Sequence, residues 1–225
     1  MKRTWYLIPA VLVCAAFVLA VIVRFSYTDT VAGELSTYEY AADNSPTFED
    51  IFEQNGITSP EDLVSRADLA AKVRFDGERT VRSDAFYSAV EVEEVYKGDP
   101  SLLGQTVIVT ETVSTFQQTR FLNASAYMKL WVPLEEGCEY IVLLQKIPFS
   151  PQRELNDLEQ RQYYPVTNSP AGCYLVEDGK SAPLQDGMPC TLDTLKGYPL
   201  YAFDQQQVDA YYALKETVLP LLGAA

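Results

Sequence analysis

The sequence predicts a mainly-β domain, a small barrel or half-open β-sandwich with short flanking helices and a C-terminal helix, joined to one N-terminal transmembrane helix. Three observations predict it. The run Trp5–Val23, WYLIPAVLVCAAFVLAVIV, holds 19 residues without a charge. From Leu69 onward, short segments rich in Val, Ile, Thr, Tyr and Phe lie between Gly, Pro and Asp turn signals. One of these segments alternates cleanly and then slips in phase by one residue, as a β-bulge does where a sheet bends toward closure.

At a rise of about 1.5 Å per residue, the uncharged run matches a hydrocarbon core roughly 30 Å thick. Trp5 and Tyr6 stand at one end, and Phe25 and Tyr27 at the other, where an aromatic belt belongs. Pro9 falls in the first turns, where its missing N–H matters least. Lys2 and Arg3 precede the run; only Arg24 follows closely before Asp29, Glu34 and Glu39. The positive-inside rule therefore places residues 1–4 in the cytoplasm, 5–23 in the cell membrane as a single-pass signal anchor, and the remainder outside. Cleavage after Ala20 or Ala32 is the alternative. Cys14 sits in mid-span after Val13, without the small residue a lipobox needs, and reads as an apolar filler.

Of 225 residues, about 180 remain beyond this segment and a linker over 24–44, enough for one domain over 45–225. Net charge is -14, and because Lys2 and Arg3 account for two of the 17 basic residues, the portion beyond the span carries -16. So acidic a surface repels phosphate backbones and excludes nucleic acid as a partner.

Helix signals open the domain. Ser45-Pro46 precedes TFEDIFEQ, which Asn55-Gly56 ends; Ser59-Pro60-Glu61-Asp62 starts LVSRAD. LAAKVRF then runs into the turn dipeptide Asp76-Gly77. In the next segment Phe86, Ser88, Val90 and Val92 alternate with Tyr87, Ala89, Glu91 and Glu93, and the phase slips at Val95. Lys97-Gly98-Asp99-Pro100 ends that strand. QTVIVTETV follows, with Val107, Val109 and Val113 on one side and threonines on the other. Residues 115–131 fit either a ragged hairpin or a long loop. Tyr140–Leu144 is continuously apolar and predicts a strand covered on both faces. Residues 148–161 read as a loop and Tyr163–Val166 as a short strand. Cys173–Val176 and Ser181–Leu184 read as a hairpin across Asp178-Gly179. Asp204 caps a final helix with an apolar stripe of Val208, Tyr211, Tyr212, Leu214 and Val218, a docking face to the parent domain.

The segments Ser65–Asp68, Val92–Gly98, Gly104–Val109, Leu134–Leu144 and Gly172–Lys180 carry the pattern SxAD, VxxVxKG, GxxVxV, LxxGxxYLLxL and Gx[YF]xVxDGK in variant form. Across about 120 residues it resembles a family of uncharacterised, membrane-anchored extracytoplasmic β-domains of Gram-positive bacteria, with oligonucleotide/oligosaccharide-binding (OB)-like barrels. It is distantly similar to netrin/TIMP-type domains too, but lacks their Cys-x-Cys start, so protease inhibition does not carry over. The shared residues are turn and strand signals, so the resemblance implies fold more than function.

The chain has no histidine. That removes Ser-His-Asp triads, Cys-His nucleophiles and imidazole-bound metals. Ser125 and Lys129 lie close together but lack the context of a Ser-Lys dyad. No phosphate-binding, dinucleotide or calcium loop is present. The expectation is no catalytic residue, no metal and no cofactor. Glu93-Glu94 and Glu135-Glu136 are adjacent acids whose side chains diverge on a strand. Cys138, Cys173 and Cys190 lie outside the span; Cys173–Cys190 is a candidate disulfide, Cys138 with either is another, and three buried thiols are a third arrangement. Asn123-Ala124-Ser125 matches a glycosylation tripeptide without much weight. Tyr127, Trp131, Tyr163 and Tyr164 are the candidate binding residues, since exposed aromatics stack on sugars or peptides. The leading expectation is a non-catalytic membrane-anchored binding or accessory protein for a cell-surface protein or glycan. A histidine-independent envelope hydrolase using carboxylates and a structural subunit of a membrane complex are the alternatives.

Overall fold

A computed structural model of the chain describes residues 7–26, 35, 38–42, 46–117, 124–128, 130–150, 152–177, 180–184 and 190–224. The first element, α1 (Leu7–Ser26), is a helix of 20 residues. Its side chains are described over 11–23 and are exposed throughout, Phe17, Val13 and Leu19 among them. That stretch is about 20 Å long. Among the described residues no helix is long and apolar enough to cross a membrane. The spanning helix expected over Trp5–Val23 is therefore not supported, and Trp5 and Tyr6 lie outside the described residues.

Next come β1 (Glu39–Ala42), α2 (Phe48–Asn55) and α3 (Pro60–Arg66). Thr47 caps α2 in a reciprocal box with Asp50, and Gly56 closes it in the left-handed region at φ 61. Ser59 caps α3, with Pro60 in its first turn. Arg66 ties the two ends together, donating to the carbonyls of Asn55 at 2.8 Å and Gly56 at 2.6 Å.

Five strands then close a barrel: β2 (Leu69–Val81), β3 (Phe86–Lys97), β4 (Thr106–Glu111), β7 (Glu139–Lys146) and β8 (Gln162–Pro165). The order is β2-β3-β4-β8-β7, and β7 returns to pair with β2 from Leu69↔Leu144 to Arg74↔Glu139. Every pairing is antiparallel except β4 with β8. The other edge of β7 is shared, with β9 (Cys173–Leu175) beside Tyr140–Val142 and β8 beside Leu144–Lys146. Between β4 and β7 the chain makes β5 (Val113–Gln117) and β6 (Ala124–Met128), a hairpin joined in parallel by β1. The short helices α4 (Asp157–Gln160) and α5 (Leu192–Leu195) and the terminal α6 (Gln205–Leu222) complete the chain.

The phase slip is a bulge: Lys72 pairs with Glu94 and Val73 with Val92, so Glu93 is extra. Asp76-Gly77 does not end a strand. It lies in a second irregularity, where four steps of β2 from Phe75 to Arg79 match two steps of β3 from Val90 to Ser88. Two extra residues leave the alternation in phase, so Arg79 points inward like Phe75. The hairpin expected across Asp178-Gly179 does not form. Cys173–Leu175 pairs with β7, Ser181–Leu184 is not a strand, and Asp178 and Gly179 lie outside the described residues. The linker expected over 24–44 contains β1, and Tyr38 and Tyr40 are buried in the core.

Inward residues such as Val73, Phe86, Val90, Val109 and Val142 fill the barrel. Each such side chain contributes about 1.5–3 kcal/mol on burial. Ala70, Ile141, Leu143 and Tyr174 face outward beneath α2, α3 and α6 and form a second core with Phe48, Leu63, Tyr211 and Val218. This explains the continuous apolar run of β7, covered on both faces. The α6 stripe is spent on this contact, with Val208, Tyr211, Leu214 and Val218 buried.

Gly98 tests this packing. It adopts φ +109, and a Cβ there would lie 2.5 Å from the Asp68 carbonyl oxygen. Gly104 has a φ of +70, at the edge of the left-handed well open to L residues, with nothing within 4 Å of an added Cβ. Gly98→Ala is expected to lose on the order of 2–4 kcal/mol in urea denaturation, against about 1 kcal/mol for Gly104→Ala. Equal losses would contradict the close approach.

Candidate functional site

Among the described residues a polar cluster sits inside the barrel. Glu111 is in phase with Val107 and Val109, so it points inward, and it is fully buried. Arg79 Nη2 lies 2.9 Å from one carboxylate oxygen, to which the Ser88 hydroxyl also donates. The other oxygen accepts from Trp131 Nε1 at 3.1 Å and from the Leu134 amide at 2.7 Å. Arg79 in turn donates through Nε to Ser88 at 2.8 Å and through Nη2 to the Leu134 carbonyl at 2.7 Å. Its guanidinium lies 4.6 Å from the centre of the Phe75 ring and 5.5 Å from that of Phe86. A carboxylate met by four donors is a structural anchor rather than a proton acceptor awaiting substrate.

Above this cluster lies a cavity of about 350 Å³ between β2, the 132–136 segment and α5. Leu35, Phe75, Val132, Leu134, Leu192 and Leu195 line it, together with Arg79, Glu135, Glu136 and Lys196. The segment around it is pinned: the Glu135 amide donates to the Tyr140 hydroxyl at 2.7 Å, and the Glu135 carboxylate accepts from the Gly197 amide at 2.9 Å. Tyr40 donates to the Leu35 carbonyl at 3.2 Å. Burial pushes the Tyr40 and Tyr140 phenols well above their usual range, so both remain neutral donors or acceptors.

A second concavity, about 420 Å³, is a groove on the outer face of β3, β4 and β8. Ala89, Ile108 and Gln162 are among the residues lining it from these strands. Tyr87 and Arg82 line it from the β2–β3 hairpin, and Ile147, Phe149 and Arg153 from the β7–β8 loop. Each aromatic carries an arginine, Arg82 at 5.1 Å from Tyr87 and Arg153 at 5.5 Å from Phe149. Glu159 holds Arg153 as a salt bridge, and the reciprocal bonds between Asn156 and Glu159 fix the start of α4. The result is two half-buried rings facing polar amides, with charges of both signs.

The expected aromatic face does not assemble. Trp131 is 1 % exposed and Tyr163 4 % exposed, both inside the core. Tyr164, half-buried, points to the opposite side of β8 from Tyr163. Tyr127 belongs to β6, and its side chain lies outside the described residues. Cys173 and Cys190 are free and buried rather than joined, and Cys138 is also a free thiol. Cys173 packs on β7 opposite Val142, where burial pushes its thiol far above the ordinary range. Among the described residues no group of three His, Cys, Asp or Glu side chains is placed to hold a metal.

The residues missed were Tyr87, Phe149, Arg82 and Arg153. Tyr87 was readable as the outward neighbour of inward Phe86. Phe149 and Arg153 sit in a loop whose position no periodicity reveals. No protein-family model matches the chain, and no curated protein is similar to it.

Glu111→Leu strands the Arg79 charge and is expected to cost about 3–5 kcal/mol in urea denaturation. Arg79→Met together with Glu111→Leu should be more stable than Glu111→Leu alone, because no uncompensated charge remains buried. Glu111→Leu as stable as wild type would contradict the assignment.

Proposed function

We propose that the chain is a membrane-anchored extracytoplasmic binding protein, non-catalytic, whose barrel takes a cell-surface protein or glycan in the groove between the β2–β3 hairpin and the β7–β8 loop. The observation that carries this is that Tyr87 and Phe149, from separate stretches of chain, line one groove, each with a guanidinium near its ring. Half-buried aromatics of this kind supply large contact area at low entropic cost, and the arginines add hydrogen-bonding forks. The barrel order, with a single parallel pairing between its third and fifth strands, matches that of OB-type barrels, which bind ligands on this face and through the corresponding loops. The resemblance to Gram-positive extracytoplasmic β-domains points the same way.

Anchoring is supported by α1. Its sequence LIPAVLVCAAFVLAVIVRFS carries one charge, and its exposed Val, Leu and Phe side chains form an apolar surface of the kind that marks a membrane or partner contact. With Lys2 and Arg3 before it, the orientation that follows is N-terminus in, domain outside.

The test is cross-linking of the tagged full chain on intact cells, comparing wild type with Tyr87→Ala/Phe149→Ala. The wild type is expected to recover a recurrent protein or glycan neighbour. The double substitution should reduce that recovery about tenfold or more, as loss of two central aromatic contacts does, without changing the thermal midpoint. Unchanged recovery by the variant would move the binding site elsewhere.

A further inference from the structure

We propose that the cavity beside Arg79 takes the acyl chain of an uncharged amphiphile from the membrane, an ester or amide whose carbonyl oxygen accepts a hydrogen bond from Arg79 Nη1. The inference rests on the anchoring part of the proposed function and is independent of the groove.

The walls come first. Phe75, Leu134 and Leu195 tie the lining to the barrel core, and the half-buried Leu35, Val132 and Leu192 supply its accessible apolar surface. The cavity volume of about 350 Å³ falls at the small end of ligand sites, suited to one chain rather than two.

The polar end is specific. The Arg79 side chain is 8 % exposed, with Nε and Nη2 engaged by Ser88, Glu111 and the Leu134 carbonyl. Among the described residues Nη1 has no hydrogen-bond partner, yet it is not among the sealed atoms lacking one, and Arg79 lines the cavity. Of the three guanidinium nitrogens, Nη1 is thus the one left to serve a ligand in the cavity that Arg79 lines.

Charge then chooses the acceptor. Arg79 is already neutralised by Glu111, and Glu135 and Glu136 line the same cavity. A free carboxylate would bring a further buried negative charge past two acids. Lys196 acts on Glu135, but Asp193 at 2.6 Å draws on the same ammonium, so the acids at the cavity still outnumber the one lysine. An ester or amide carbonyl accepts the same hydrogen bond without that charge.

Location supplies the source. Leu35, on the cavity wall, follows Ser26, the last residue of α1, by nine positions. Even fully extended at about 3.5 Å per residue, that connection reaches only roughly 30 Å. The cavity is thus held within about one bilayer thickness of the anchor, where acyl esters are the most abundant apolar ligands.

The experiment uses the full chain in phosphatidylcholine nanodiscs with two photoreactive probes, a diazirine-bearing decanoylglycerol and the matching free decanoic acid. Adducts are mapped by proteolysis and mass spectrometry. The expected result is ester adducts over 132–136 and 192–196, with about tenfold fewer from the free acid, a difference of about 1.4 kcal/mol. Leu195→Trp should remove the cavity adducts and keep those on α1; Val132→Trp serves if the first variant does not fold. Tyr87→Ala should leave the cavity adducts unchanged, which separates this site from the groove. Cavity labelling of chains that remain outside the discs would refute the anchor and still support the site. Adducts confined to α1, equal labelling by acid and ester, or cavity adducts that survive both tryptophan substitutions would overturn the proposal.

Discussion

A carboxylate inside a barrel of valines and phenylalanines is tolerable only when every oxygen is met by a donor. Glu111 satisfies this by gathering a guanidinium, a hydroxyl, an indole N–H and a backbone amide from three separate stretches of chain. The cluster thereby fixes where those stretches lie. Arg79 is brought in by the two-residue insertion of β2, Ser88 by β3, and Trp131 and Leu134 by the connection that leads into β7. The segment 132–136 is consequently tied to the barrel through Leu134, and it lines the cavity together with Arg79.

The two faces of the barrel wall divide the remaining work. Outward residues of β7, β9 and the start of β2 are apolar and are covered by α2, α3 and α6. Outward residues of β3 and the middle of β2 are charged instead: Lys72 pairs with Glu139 at 2.6 Å and Glu93 at 3.4 Å, and Arg74 with Asp76 at 3.1 Å. Such part-exposed pairs are worth little individually, but they keep that wall wet. The groove lies beyond them, where Tyr87, Ala89 and Ile108 interrupt the charged surface. Its opposite wall is a loop held by the Asn156–Glu159 bonds and the Arg153–Glu159 pair.

Local signals were legible in the sequence because local physics produces them. The caps at Ser59 and Asp204, the stop at Gly56, the bulge at Glu93 and the doubly covered strand Tyr140–Leu144 all follow from short-range patterns. The polar cluster was half legible: Glu111 is in phase with Val107 and Val109, an acid on the apolar side of a strand. Its partner was hidden, because Asp76-Gly77 reads as a turn, and only the observed register shows the strand continuing to Arg79. Trp131 and Tyr163 were misplaced for a related reason. Residues 115–131 carry no clear period, and the β8 segment is too short to show which of two adjacent tyrosines faces inward. The pairing of β9 with β7 is a long-range choice, whereas a local Asp-Gly signal favours a hairpin.

Hydrogen exchange at the Trp131 indole and the Leu134 amide in the intact chain addresses the central cluster directly. Both N–H groups end on the same Glu111 oxygen, and neither belongs to a strand, so that oxygen is the acceptor that holds them. The account predicts protection comparable with the amides of Val142 and Leu143 in β7, opening only with the whole barrel. Exchange at the rate of an unprotected amide would show that the carboxylate does not hold the segment and that the cavity it supports is not a fixed feature of the fold.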